Sequence, residues 1–116
     1  MRKMAYNRLV EKLTKENLWL YIIYLLKKKP MYGYEIVKHI REKFNFSPAL
    51  IPIYVVLYKM EREKLIRRVK NGDSFQNLSR RNYYIVTKKG LEIFNKGLEF
   101  IRQTYEKLAD KNAYKA

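Results

Sequence analysis

The strongest constraint in this sequence is a run of apolar residues near its C-terminal end. They recur at alternating spacings of three and four positions and comprise Leu91, Phe94, Leu98, Ile101, Tyr105 and Leu108. This alternation is typical of the seam of a coiled coil, whereas a helix that packs only on its own domain has a wider apolar stripe. The six residues are therefore predicted to pair the chain with a second copy of itself as a homodimer.

The chain is short and strongly basic. Its 116 residues include 26 Lys and Arg against 11 Asp and Glu, which gives a formal charge of +15. This length suffices for one domain with a modest core and a projecting arm. A positive excess of this size indicates an anionic partner, most often nucleic acid and less often a membrane surface or ribosomal RNA.

Several classes of function are excluded by what the composition lacks. There is no cysteine and only one histidine, His39, so thiol catalysis, disulfides and a His-rich metal site are not expected. No nucleophile elbow, phosphate loop or metal motif is present. We predict no enzymatic activity, no cofactor and no metal.

The sequence also predicts a cytoplasmic protein without a membrane partner. Its longest uninterrupted apolar run covers residues 18–26, which is far shorter than a membrane span requires. Residues 1–13 alternate charged and apolar side chains and lack a signal-peptide core.

The order of predicted elements defines the fold. Residues 1–13 form an amphipathic helix, residues 14–87 contain three short helices and a β-hairpin, and residues 88–110 form a long helix before a frayed tail at 111–116. Within the middle region, strands at 65–69 and 82–86 flank a basic tip, and Thr14 and Thr87 are candidate helix N-caps. This plan is a mainly α (α+β) fold: a winged helix-turn-helix domain with a C-terminal, coiled-coil-like dimerisation helix.

The third helix of that domain, at about residues 51–64, is the candidate recognition helix. A helical wheel puts Ile53, Val56, Leu57 and Met60 on the core side. The opposite side is predicted to enter the major groove of DNA and carries Val55, Tyr58, Lys59 and Arg62, with Tyr54 at the flank. Arg62 could reach guanine or phosphate, Lys59 phosphate, and Val55 and Tyr58 a thymine methyl or the sugar backbone.

The hairpin and the start of the recognition helix supply further candidates. Strand residues alternate sides, so the wing residues predicted to contact phosphates or the minor groove are Arg68, Lys70, Arg80 and Arg81. Ser47, or the amides beside it, is predicted to anchor a phosphate at the helix N-terminus. Charged side chains that only discourage strand pairing are the alternative for the wing.

Three segments also resemble a known family. Leu25-Leu26 with residues 30–36 (Pro-Met-Tyr-Gly-Tyr-Glu-Ile), residues 53–57 (Ile-Tyr-Val-Val-Leu) followed by Met60-Glu61, and residues 82–90 resemble PadR-type transcriptional regulators. The resemblance implies a dimeric, repressor-like protein with the C-terminal helix as its dimerisation element. The single C-terminal helix is similar to the shorter PadR subgroup.

This chain departs from that family's pattern at three places. Tyr32 stands where His or Asn often precedes Gly-Tyr, and Lys64 replaces a Gly that is usual before the first wing strand. Members of the short subgroup often bind flat aromatic ligands between dimer helices, using a tryptophan of the C-terminal helix. The single tryptophan here is Trp19, which could line an effector pocket or simply pack in the core. A small aromatic effector therefore stays an open alternative.

Together these features predict a sequence-specific, homodimeric DNA-binding transcription regulator, a repressor, that recognises a pseudo-palindromic operator in double-stranded DNA. The main alternative is a sequence-tolerant architectural DNA-binding protein whose affinity comes from its overall charge. A winged-helix module for protein contacts would have a neutral or acidic recognition face, and an RNA binder would have an aromatic strand platform. Neither feature is evident in the sequence.

Overall fold

The computed structural model describes residues 4–70 and 82–111. Its elements, in chain order, are α1 (Ala5–Leu13), a 3-10 turn (Lys15–Asn17), α2 (Leu18–Leu26), α3 (Gly33–Phe44), α4 (Leu50–Arg62), β1 (Ile66–Lys70), β2 (Asn82–Val86) and α5 (Lys88–Leu108). This mainly helical architecture with a two-stranded antiparallel sheet confirms the predicted winged-helix fold.

Helix α2 forms the centre of the molecule because its sequence is apolar on nearly every side. Five of its nine residues are buried, and α3, α4, α5 and β2 all pack against it. The surrounding elements contribute Ile36, Ile40, Ile53, Leu57 and Phe94 to the same core. Burial of each such side chain contributes about 1.5–3 kcal/mol to folding.

The sheet of the wing is joined to the segment that precedes α3. Strands β1 and β2 pair antiparallel, with Ile66 opposite Val86 and Lys70 opposite Asn82. Met31, just before α3, exchanges two backbone hydrogen bonds with Tyr84, of 2.8 and 3.3 Å. The base of the wing is therefore fixed to the start of the helix-turn-helix.

Two helix caps were predicted, and only one forms. The Thr87 hydroxyl accepts a hydrogen bond from the Gly90 amide at 3.0 Å, so Thr87 caps α5 as expected. The prediction for Thr14 is wrong, because its hydroxyl donates to the Val10 carbonyl at 2.6 Å. Thr14 thus closes the end of α1, and a 3-10 turn separates it from α2.

Helix α5 divides into a packed half and a projecting half. Phe94 is buried, and Gly97 lets the ring of Trp19 approach so closely that an added Cβ would lie 3.1 Å from Trp19 Cη2. From Leu98 onward every described residue of the helix is exposed. Arg102 forms ion pairs with Glu99 and Glu106 within the helix, and these support the projecting half.

No helix in the described ranges combines the length and the apolar character that crossing a membrane requires.

The end of α4 differs from the sequence prediction by two residues because of Lys64. Its φ of 66° is left-handed, and the amides of Lys64 and Leu65 donate to the carbonyls of Glu61 and Met60, both at 3.0 Å. This pattern is a Schellman motif, which usually has glycine at the left-handed position. The turn ends α4 at Arg62 instead of residue 64 and delays β1 from residue 65 to Ile66.

We predict that Lys64→Gly stabilises the protein by about 1 kcal/mol, because a left-handed L-residue costs roughly 1–2 kcal/mol and glycine's larger unfolded-state entropy offsets part of the gain. Urea denaturation monitored by circular dichroism measures the change. Lys64→Ala is the control, since it removes the charge but keeps the strain. An equal gain in both variants would show that charge, and not backbone conformation, is responsible.

Candidate nucleic-acid interface

Helix α4 has two opposed faces, as the wheel predicted. Ile53, Leu57 and Met60 are buried in the core, and Val56 is half-buried beside them. The other face is exposed and carries the five predicted contact residues of this helix, Tyr54, Val55, Tyr58, Lys59 and Arg62. Packing against the core therefore leaves one full side of α4 accessible to a partner.

Ile51 belongs to the same exposed face and was missed by the sequence analysis. It is 76% exposed, the highest value among the large apolar residues of α4. Ile51 precedes Val55 by one helical turn, and the spacing 51, 55, 58, 62 marks a single strip along the helix. We call Ile51, Val55, Tyr58 and Arg62 the recognition strip.

Tyr54, at the flank of the strip, is held by the start of α3. A Cβ added to Gly33 would lie 2.7 Å from Cε1, Cζ and Oη of the Tyr54 ring. Gly33 is buried, yet Tyr54 remains 45% exposed. The ring thus covers the first residue of α3 and still presents one side to solvent.

At the other end of the strip, Arg62 lies over the ring of Tyr58. The guanidinium carbon is 5.8 Å from the ring centroid, a distance at which a cation is attracted to the face of an aromatic ring. Lys59 is exposed one turn after Val55. Both cations therefore lie in the C-terminal half of α4, beyond the apolar part of the exposed face.

Arg68 of the wing is engaged by α4. Its Nε lies 2.7 Å from Oε2 of Glu61, and the Glu61 carboxylate raises the pKa of the guanidinium. An exposed pair of this kind contributes little stability, but it links the wing to the recognition helix. Arg68 remains half-exposed, so part of its guanidinium is accessible.

The remaining predicted contacts are only partly described. The Lys70 backbone pairs with Asn82 at the end of β1, while Arg80 and Arg81 lie outside the described residues. Ser47 is exposed two residues before the N-cap residue of α4, Ala49, whose side chain makes no capping hydrogen bond. Ser47 is thus near the helix N-terminus but is not its N-cap.

The predicted dimerisation residues fall into two groups. Phe94 is 3% exposed and Leu91 packs on the core, so both serve the fold of a single chain. Leu98, Ile101, Tyr105 and Leu108 are exposed on the projecting half of α5; we call these four residues the distal seam. Helix α1 has a second exposed apolar side, formed by Tyr6, Leu9, Val10 and Leu13.

An apolar groove of about 350 Å³ lies beside the distal seam. Its walls include Leu13 of α1, Tyr21 of α2, Phe44 of α3, and Leu98 and Ile101 of the seam. The groove therefore connects the exposed side of α1 to the distal seam. Trp19 is not among the residues that line the groove, and its ring packs against Gly97.

Helices α3 and α4 beside a two-stranded wing define a winged helix-turn-helix domain. A model of the transcriptional regulator PadR-like family matches residues 22–96, which is well over half of the chain. The chain therefore belongs to the PadR-like family of transcriptional regulators, a family of transcription factors and not of enzymes. This assignment confirms the resemblance seen in the sequence.

Similar solved structures agree with that assignment. A PadR family transcription regulator from Clostridium difficile is 32% identical, with a TM-score of 0.64, over 79% of this chain and 97% of that one. A PadR-like regulator from Bacillus cereus is 30% identical, with a TM-score of 0.63, over 88% and 99%. Bacillus subtilis PadR in complex with operator DNA is 22% identical, with a TM-score of 0.62, over 76% and 57%. Curated proteins gave no significant match.

We predict an energetic coupling between Gly33 and Tyr54. Gly33→Ala should destabilise the protein by about 1 kcal/mol, because the new methyl group displaces the Tyr54 ring. In a Tyr54→Ala background the same change should be neutral or stabilising, since alanine favours helix over glycine. A double-mutant cycle of unfolding free energies measures the coupling. Equal effects in both backgrounds would show that the ring does not rest on Gly33.

Proposed function

We propose that this protein is a homodimeric transcriptional regulator that binds double-stranded operator DNA sequence-specifically and acts as a repressor. The observation that carries the proposal is the exposed face of α4, which lies opposite a core-packed face and ends in two cations. Family membership supports regulation, and a relative, Bacillus subtilis PadR, is in complex with operator DNA. The proposal includes the predicted cytoplasmic location.

In the proposed complex, α4 enters the major groove with its recognition strip towards the bases. An α-helix fits that groove, and helix-turn-helix domains present the N-terminal part of the second helix to base edges. Val55 and Tyr58 contact bases or sugars, Arg62 and Lys59 contact guanine or phosphate, and Tyr54 contacts the backbone. Ser47 lies beside the free N-terminal end of α4, where a phosphate binds favourably.

The wing follows the flanking backbone or minor groove. Lys70, Arg80 and Arg81 are its proposed phosphate contacts. Arg68 already pairs with Glu61 through the Nε edge of its guanidinium, so only its other donors are available to DNA. We assign Arg68 to a phosphate contact through its remaining donors, while the ion pair fixes the angle between wing and recognition helix.

Homodimerisation is proposed through the distal seam. Four apolar side chains on one side of a projecting helix are exposed in the described part of the chain, and Leu98 and Ile101 join them to the groove and to α1. Contiguous exposed apolar surfaces of this kind mark interaction sites. A two-fold dimer would place two copies of α4 on a pseudo-palindromic site. The groove is also where an aromatic effector would fit.

We predict a large preference for the operator over other DNA. Fluorescence anisotropy should show that the protein binds its own promoter region at least a thousandfold more tightly than a scrambled duplex, at two salt concentrations. Both affinities should fall steeply with salt, because several phosphates are neutralised. Arg62→Ala should reduce the preference. Equal affinities that collapse together with salt would instead support the architectural alternative.

We predict that Leu98→Glu combined with Ile101→Glu gives monomers in analytical ultracentrifugation, because two carboxylates would be buried in the seam. Lys96→Gln with Gln103→Glu is the matched control, since it changes the net charge equally on the opposite side of α5. Circular dichroism shows whether each variant is folded. A folded Glu variant that remains dimeric would exclude the distal seam as the interface.

A further inference from the structure

We propose that α4 recognises A·T base pairs through the methyl groups of thymine, with Ile51 and Val55 as the contacting side chains. The inference rests on the proposed DNA-binding function and adds the chemistry of base readout at the same site. It assigns a role to Ile51, which the sequence analysis did not include among the DNA contacts.

The first argument is the composition of the exposed face. From the start of α4 to Tyr58, the side chains of this face are Ile51, Tyr54, Val55 and Tyr58. Two are aliphatic, two are aromatic, and none carries an amide or a cationic group. Ile51 and Val55 are each about half-exposed or more, so water covers apolar surface that a partner could bury.

The second argument is what each base pair presents in the major groove. Guanine offers two acceptors that are best read by Arg or Lys, and adenine offers an acceptor and a donor that are best read by Asn or Gln. The exposed face up to Tyr58 has none of these side chains. Thymine alone presents a methyl group, and apolar contact with that methyl is the readout that isoleucine and valine can make.

The third argument is position along the helix. Ile51 is the second residue of α4 and Val55 lies one turn later, in the part of a recognition helix that meets base edges. Arg62 lies 11 residues beyond Ile51, about 16 Å along the axis, and its guanidinium is held over Tyr58 at 5.8 Å. The cations therefore border the apolar patch at one end, where they can bind the phosphates that flank the contacted bases.

We assign DNA, and not a second copy of the chain, as the partner that covers the apolar patch formed by Ile51 and Val55. Lys59 and Arg62 adjoin the patch, and the whole chain carries a formal charge of +15, so a second copy would be repelled here while an anionic partner is attracted. The exposed apolar residues of α1 and the distal seam supply a separate surface for self-association.

The test replaces thymine by deoxyuridine, which removes only the 5-methyl group. A binding site is first selected from random duplex DNA with the full-length protein, and each thymine of one half-site is then replaced in turn. We expect at least one replacement to weaken binding about fourfold, the effect of losing one buried methyl-sized group. Affinities are measured by fluorescence anisotropy at fixed salt.

Protein variants assign the methyl contact to a residue. In Ile51→Ser or Val55→Ser, the affinities for the thymine and deoxyuridine duplexes should become equal at the position that the residue contacts. Leu50→Ser is the control, because Leu50 is also exposed on α4 but lies outside the recognition strip. This control should retain the fourfold sensitivity of the original protein.

The outcomes separate the two proposals. A specific site whose affinity is unchanged by deoxyuridine at every thymine, or a selected site without thymine opposite α4, overturns the methyl readout and leaves the proposed function intact. Sensitivity that persists in both serine variants assigns the methyl contact elsewhere and also overturns it. Failure to select any preferred sequence refutes sequence-specific regulation, and the methyl readout with it.

Discussion

The burial of α2 determines where α3, α4, α5 and β2 lie. Its sequence leaves almost no polar side, so α3, α4, α5 and β2 must all pack around it to remove that apolar surface from water. Helix α4 meets this requirement with Ile53 and Leu57, both fully buried. Because those residues fix the rotation of α4 about its axis, they also determine that Ile51 and Val55 face outward. The direction of the proposed DNA-contacting face is thus a consequence of core packing.

The same apolar periodicity in α5 serves two different purposes along one helix. Near its start, Phe94 faces α2 and completes the core. Beyond Gly97, which lies against the Trp19 ring, the helix projects from the domain and the residues of the repeat are exposed. Leu98 and Ile101 are partly covered in the groove, and Tyr105 and Leu108 are the most exposed. A heptad pattern shows that a helix has an apolar seam, but it does not show whether that seam packs against the same chain or against another one. It is the position of α2 that makes Phe94 part of the core and leaves Leu98 exposed.

Sequence patterns predicted the elements better than their boundaries and contacts. The order of helices and strands, the two faces of α4 and the Thr87 cap follow from local spacing and side-chain type. The end of α4 did not, because Lys64 takes a backbone conformation that its side chain disfavours. Thr14 was misassigned because a hydroxyl can bond to either of the two helical segments that it joins. Ile51 was missed although the 3.6-residue period places it one turn before Val55 on the same face of α4.

Contacts between elements that are distant in the sequence could not be predicted from local sequence patterns, for a physical reason. The Glu61–Arg68 pair, the Tyr54 ring on Gly33 and the Met31–Tyr84 bridge each join two elements whose relative placement depends on the whole core. The helix or strand propensity of a short segment gives no information about that placement. These three contacts also tie α4, α3 and the wing to each other, so they contribute to the geometry of the candidate interface.

The arrangement of charge on α4 implies a division between affinity and specificity. A net charge of +15 attracts any DNA, and phosphate contacts of Lys and Arg carry no information about base sequence. The part of α4 that precedes Lys59 has no cation on its exposed face, so a non-cognate sequence would gain little there. Burying Ile51 and Val55 against bases is favourable only where those bases present apolar groups. In the proposed complex, phosphate contacts of the cations at the end of α4 strengthen binding to every sequence, whereas the apolar patch, together with a base contact of Arg62, discriminates among sequences.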